Sequence, residues 1–110
     1  MELTYGRYLK VEELLQLQQP QSEGPEHDEM LFIIIHQVYE LWFKQILHEL
    51  EKLKSSFQEG ERGKALHTLK RIRSILKVLV SQVDVLETMT PLEFLSFRER
   101  LQSASGFQSS

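Results

Sequence analysis

Apolar residues recur every three or four positions along most of this chain, and that spacing predicts helices. No stretch shows the strict alternation of a half-buried strand. Prolines and glycines fall between the periodic segments, where helix boundaries are expected. The predicted elements are a short helix over 10–18, a loop at 19–27, a long helix over 28–59, a third helix over 64–87 and a fourth over 90–103. We therefore predict an all-α fold, a helical bundle fragment built on an antiparallel hairpin of the two longest helices.

Two of these helices carry sequence signals for their first residues. Asp28 is a candidate N-cap of the long helix, and Glu29 adds an acidic charge that favours the positive end of a helix. Thr90 offers an N-cap for the fourth helix, followed by Pro91 at the first helical position and by the capping-box residue Glu93. These signals place the two helix starts near 28 and 90.

The long helix is apolar around most of its circumference. One stripe of its projection consists of Phe32, His36, Tyr39, Phe43 and Leu50, and an adjoining arc of Leu31, Ile34, Ile35, Val38, Leu41 and Trp42. A helix of this kind is usually buried on several sides, so we expect further chain or another subunit to cover part of it. The charge-rich stretches 49–54 and 64–73 are predicted to be solvated helix faces.

Composition narrows the class of protein. The 110 residues fit one domain or a piece of a larger one, and a hydrophobic fraction of 41% is that of a folded protein. A net charge of −3 argues against a nucleic-acid partner. Because there is no cysteine, disulfides, thiolate metal sites and cysteine nucleophiles are excluded. No secretion signal or bilayer-long apolar run is visible, so we expect a cytoplasmic protein without a membrane partner.

His36 is the first candidate for chemistry, since it lies one helical turn after Phe32 on the apolar stripe. One interpretation is a neutral core histidine whose ring nitrogens bond to neighbouring protein groups. The others are a haem or metal ligand, a general base, or a hydrogen-bond acceptor for a ligand. No second ligand at metal spacing supports a metal site, because His48 lies about 120° away around the helix.

Arg98 is the second candidate, and it shares a face of the fourth helix with Phe94 and Leu101. An arginine among apolar residues needs an anionic partner, because its charge is permanent. One interpretation is an ion pair with a glutamate of the chain, and another is that the long side chain carries its charge out to solvent. The sharper hypothesis is a bidentate clamp on the carboxylate or phosphate of a ligand.

The two ends of the chain are the remaining candidates for a binding role. Tyr5 and Tyr8 lie before the first predicted helix, and such closely spaced tyrosines suggest a docking segment over 1–9, on this subunit or another. The tail 103–110 is either a flexible end or a turn that offers hydroxyls and backbone N–H groups to a ligand.

Three segments resemble one protein family, in its order and at its spacing. They are LTYGRYLKVEELLQLQ at 3–18, HDEMLFIIIHQVYELWFKQILHELE at 27–51 and LETMTPLEFLSFRERLQSASGFQS at 86–109. The family is tryptophan 2,3-dioxygenase, and the resemblance covers nearly the whole chain, with its weakest part at 55–80. It implies a larger α-helical haem-dioxygenase fold.

The resemblance also implies an activity and a set of site residues. Members of this family are homotetramers that use haem b and O2 to open the indole ring of L-tryptophan, which gives N-formylkynurenine and begins the kynurenine pathway. The position of His36 matches the distal histidine, which hydrogen-bonds the indole N–H and is not the iron ligand. Other positions that match substrate-contacting residues of the family are Phe32, Arg98, Phe94, Tyr5 and Tyr8. The two tyrosines match residues that enter the pocket of a neighbouring subunit. Ser105 and Gly106 match the loop beside the haem.

One departure from the family bears on the activity of the chain. Family members continue past SGFQS into further helices, one of which carries the proximal histidine, and none of the four histidines here matches that ligand. We expect the iron ligand to come from outside this segment and the activity to belong to a longer chain. The alternatives are a catalytically inactive helical oligomerisation or interaction module, and a small haem protein with His36 or His48 as axial ligand.

Overall fold

The structure is a computed structural model that describes residues 2–22 and 26–90. This part of the chain contains helices and no strand. The helices are α1 (Tyr5–Leu9), α2 (Val11–Leu14), α3 (His27–Gln58) and α4 (Arg62–Leu86). The two long helices, α3 and α4, pack against each other as a hairpin. The predicted all-α hairpin is therefore confirmed.

The packed face of α4 follows a seven-residue repeat. The residues of α4 that are not exposed are Ala65, Thr68, Ile72, Ile75, Leu79, Gln82 and Leu86, at alternating steps of three and four. Facing residues of α3 keep the same repeat, and the Tyr39 hydroxyl donates a hydrogen bond to the carbonyl oxygen of Leu79 at 3.1 Å. Such spacing is typical of side chains that interlock along a helix–helix seam.

A left-handed glycine ends α3 and allows the chain to reverse. Gly60 has a φ of 71° and donates to the carbonyl oxygen of Phe57 at 3.2 Å, while Glu61 donates to that of Ser56 at 2.8 Å. This is the Schellman arrangement, which satisfies carbonyl groups at a helix end and favours glycine. On the exposed turn that follows, a hydrogen bond to Lys64 lowers the pKa of Glu61 and raises the pKa of Lys64.

The start of α3 differs from the predicted one. The helix begins at His27, with Glu26 as an N-cap residue that makes no side-chain capping bond, so the prediction of Asp28 as N-cap is wrong. Residue 27 is already helical, which leaves Asp28 inside the first turn. There its negative charge still faces the positive end of the helix dipole.

The N-terminal segment is also more helical than predicted. Tyr5 and Tyr8 lie within α1, whose N-cap Thr4 accepts a hydrogen bond from the amide of Arg7 at 3.3 Å. Lys10 then adopts a left-handed φ of 54°, which separates α1 from α2. The predicted 10–18 helix is shorter in the structure, since α2 covers only Val11–Leu14. Both tyrosine side chains are exposed in this chain, so their docking on another subunit stays a prediction.

The burial of Glu49 contradicts the prediction that the stretch 49–54 is a solvated helix face. Its carboxylate lies in the α3–α4 seam and is only 4% exposed. Gln45 donates to Glu49 Oε2 at 2.6 Å, and the Arg71 guanidinium lies 3.7 Å from the same oxygen. Glu49 Oε1 has no hydrogen-bond partner among the described residues. The repeat explains the burial, since Ile35, residue 42, Glu49 and residue 56 follow one another at seven-residue intervals.

The predicted fourth helix at 90–103 falls, from residue 91 onwards, outside the described residues. So do four candidate site residues, Arg98, Phe94, Ser105 and Gly106.

Across 2–22 and 26–90, no helix combines the length and apolar character needed to cross a bilayer.

Candidate functional site

An aromatic face of α3 brings together two of the candidate residues, Phe32 and His36. The rings of Phe32 and His36 lie with their centroids 4.1 Å apart and their planes inclined by 30°. Tyr39 presents its ring to His36 edge-on at 6.5 Å, and Phe43 stacks on Tyr39 at 6.2 Å. The stripe predicted from the helical projection is therefore a continuous row of rings, with the imidazole inside it.

The hydrogen bond of His36 defines which ring nitrogen remains for a ligand. Nδ1 lies 2.7 Å from the carbonyl oxygen of Phe32. A carbonyl oxygen only accepts hydrogen bonds, so Nδ1 carries the proton that is shared with it. In the neutral imidazole Nε2 is then unprotonated and acts as an acceptor. The helix thus presents a hydrogen-bond acceptor for an N–H or O–H group.

A groove runs between α3 and the segment that follows α2, and His36 borders it. Its volume is about 450 Å³. The lining residues are Leu14, Leu17, His36, Gln37, Glu40, Leu41 and Lys44. Cavities of this size are typical of small-molecule sites, which combine apolar walls with a few polar groups. The three leucines supply such walls, and the histidine is a polar group beside them.

The wall of this groove is held on α3 by a pair of amide side chains. Gln18 Nε2 donates to Gln37 Oε1 at 2.9 Å and to the carbonyl oxygen of Leu14 at 3.0 Å. In return, Gln37 Nε2 donates to the carbonyl oxygen of Leu17 at 3.0 Å. Gln37 is the neighbour of His36 along the helix, so these bonds fix the chain beside the imidazole.

A second attachment lies nearer the start of α3, at Glu29. This carboxylate is fully buried, at 0% exposure. It accepts hydrogen bonds from the backbone amides of Gln21 at 2.7 Å and Ser22 at 3.0 Å, and from the Ser22 hydroxyl. Residues 17–22, which we name the strap, are therefore attached to α3 at both ends.

Sequence reasoning missed the residues that attach the strap. Glu29 was interpreted only as a charge at the helix start. A signal for Glu29 did exist, because it lies seven residues before His36 and therefore on the same face of the helix. The amide pair of Gln18 and Gln37 had no such signal, since it joins residues 19 positions apart.

A haem enzyme requires groups that hold the iron and groups that orient the substrate. No three histidine, aspartate or glutamate side chains lie together as metal ligands within 2–22 and 26–90. His36 offers an acceptor nitrogen, and the rings of Phe32 and Tyr39 lie beside it. An acceptor nitrogen beside aromatic rings is the kind of group that the substrate side of a haem pocket requires.

Comparison with known proteins identifies what this chain is similar to. A family model described as tryptophan 2,3-dioxygenase matches residues 1–110. The chain is 64% identical over 107 residues to the tryptophan 2,3-dioxygenase of Herpetosiphon aurantiacus, which covers 97% of this chain and 41% of that protein. Another relative of that name, from Anaeromyxobacter sp. strain K, is also 64% identical, with 97% of this chain and 40% of its own length covered. The enzyme of that name from Dictyostelium discoideum is 50% identical, with coverages of 96% and 28%. The chain thus spans about two fifths of the length of the two bacterial relatives and 28% of the length of the Dictyostelium discoideum relative.

Proposed function

Since the chain belongs to the tryptophan 2,3-dioxygenase family, we propose that it supplies the substrate side of a site that opens the indole ring of L-tryptophan. The reaction uses O2 and haem b and yields N-formylkynurenine, the first product of tryptophan catabolism by the kynurenine pathway. Haem, when bound, supplies the activation of O2, and its iron ligand comes from outside this segment. The residues of this chain bind and orient the amino acid.

The acceptor nitrogen of His36 is the observation that carries this proposal. Because Nδ1 is bonded to the Phe32 carbonyl at 2.7 Å, Nε2 is available to accept a hydrogen bond. The indole N–H of tryptophan is a donor only, so the two groups are complementary. Phe32 lies against the imidazole at 4.1 Å and offers an aromatic surface for the indole ring. Together they select a flat, apolar ring with one donor at its edge.

The remaining contacts are proposed from the family. Arg98 holds the carboxylate of tryptophan through its planar fork of N–H groups, and Phe94 forms part of the pocket wall. Ser105 and Gly106 lie beside the haem. Tyr5 and Tyr8 of one subunit enter the pocket of a neighbour in a homotetramer, which is consistent with their exposure of 78% and 69% in the single chain.

A chimeric enzyme tests this proposal on the residues of this chain. The chain replaces the matching N-terminal portion of the Herpetosiphon aurantiacus relative. Formation of N-formylkynurenine from L-tryptophan is then followed by its ultraviolet absorbance, with haem content measured from the Soret band. We expect product from the chimera. We also expect a several-fold or larger rise in KM for Arg98→Leu, because a charge-assisted hydrogen bond contributes about 1.5–3 kcal/mol.

A histidine pair provides the matched control. His36→Ala removes the acceptor and should lower kcat/KM by about 5-fold or more, the effect of roughly 1 kcal/mol. His48→Ala changes an exposed histidine of the same helix and should leave kcat/KM unchanged. A haem-loaded chimera that forms no product, or equal effects of the two substitutions, would contradict the proposal.

The alternative is a catalytically inactive helical interaction module. Exposed apolar residues on the outer face of α4 favour it, among them Leu66 at 54%, Leu76 at 48% and Val80 at 71% exposure. Patches of this kind mark interaction surfaces. This alternative predicts self-association that changes neither with His36→Ala nor with tryptophan, as measured by analytical ultracentrifugation.

A further inference from the structure

We propose that Glu29 is a positioning residue for tryptophan binding, because its carboxylate fixes the strap that carries the groove wall beside His36. The inference rests on the proposed function and adds to it a residue that does not touch the substrate. Glu29 acts through residues 17–22, whose first residue, Leu17, lines the groove.

The burial of Glu29 distinguishes this role from helix capping. A carboxylate that only interacts with the helix dipole remains satisfied while exposed to solvent. Glu29 is instead 0% exposed, and removing a charge from water is costly unless hydrogen bonds replace the lost hydration. Its two oxygens receive those bonds from the strap: Oε2 from the Gln21 amide at 2.7 Å, and Oε1 from the Ser22 amide at 3.0 Å and the Ser22 hydroxyl.

The strap is short enough for its two attachments to act together. Glu29 holds residues 21 and 22, and Gln37 holds the carbonyl of Leu17 and the side chain of Gln18. Between these points only residues 19 and 20 lack a bond to α3 among the contacts described. Because Gln37 is adjacent to His36, displacement of the strap changes the groove at the imidazole. Loss of Glu29 should therefore weaken tryptophan binding more than it slows the chemical step.

Hydrogen exchange on the full 110-residue chain tests the attachment by itself. Glu29→Gln replaces one acceptor oxygen with an NH2 group, which cannot accept from the strap. We expect the amides of Gln21 and Ser22 to exchange about ten-fold faster or more than in the unsubstituted chain. Asp28→Asn is the matched control, since it removes a carboxylate from the same helical turn; it should leave both exchange rates unchanged. Equal rates in Glu29→Gln and the unsubstituted chain would overturn the proposal.

Steady-state kinetics of the chimera described above test the consequence for binding. We expect Glu29→Gln to raise KM for L-tryptophan by about five-fold or more, with kcat changed less than about two-fold. Ser22→Ala, which removes only the hydroxyl donor, should raise KM in the same direction by about two-fold and serves if Glu29→Gln does not fold. An unchanged KM in a folded variant, or an equal rise in Asp28→Asn, overturns the positioning role alone. Absence of product from the unsubstituted, haem-loaded chimera overturns the proposed function, and the positioning role with it.

Discussion

Replacement of the buried carboxylate in the hairpin seam should stabilise the protein. Glu49 is 4% exposed and lies between α3 and α4, where a leucine fits the surrounding seven-residue repeat. Its charge is incompletely compensated, because Oε1 has no partner among the described residues and the Arg71 guanidinium lies 3.7 Å from Oε2. A buried charge with incomplete partners costs more desolvation energy than its contacts return.

The expected gain follows from the contacts that Glu49→Leu makes and removes. The leucine contributes about 1.5–3 kcal/mol by burial, and removal of the unpartnered oxygen contributes about 1–3 kcal/mol. Against this, the bond from Gln45 is lost, at about 1.5–3 kcal/mol, and so is the Arg71 contact. That contact contributes only about 0.2–1 kcal/mol because the Arg71 side chain is 50% exposed. The balance is a stabilisation of about 1–2 kcal/mol.

Urea unfolding followed by circular dichroism measures this balance. Glu49→Leu should raise the midpoint of unfolding without changing the slope m, as expected when stability changes and the unfolded state does not. Glu51→Leu is the control on an exposed face of the same helix, and it should change the free energy of unfolding by less than about 0.5 kcal/mol. A destabilisation of more than about 1 kcal/mol by Glu49→Leu would refute the reasoning, because the polar contacts would then outweigh apolar packing.

Three further substitutions test the hairpin by the same unfolding assay. Tyr39→Phe removes the hydrogen bond to the Leu79 carbonyl and should destabilise the chain by about 0.5–1.5 kcal/mol; no change in the midpoint would mean that this bond contributes nothing. Gly60→Ala places a side chain at a φ of 71° and should cost about 1–2 kcal/mol. Gly63→Ala, in the first turn of α4 with open space for a Cβ, should instead stabilise by about 0.4–1 kcal/mol. Effects of the same sign at the two glycines would contradict the assignment of the α3 terminus.

The helical spacing of the sequence was sufficient to predict the hairpin and the row of rings at Phe32 and His36. Both depend on local geometry, since residues three or four apart lie on the same face of a helix whatever surrounds it. The start of α3 and the helical conformation of Tyr5 and Tyr8 were not predicted. Helix ends depend on single residues such as Lys10, whose left-handed backbone breaks the N-terminal segment after only five helical residues.

The motifs of the sequence by themselves identified the family and the candidate contacts to tryptophan. Only the tertiary structure decided the surroundings of the two buried carboxylates, Glu29 and Glu49. The sequence indicated only a helix-start charge at Glu29 and a solvated face at Glu49, and the groups that bury them come from the strap and from α4. The pairing of Gln18 with Gln37 likewise depends on how the strap folds back on α3. Hydrogen bonds between distant residues follow from the path of the chain, and periodicity within one helix does not encode that path.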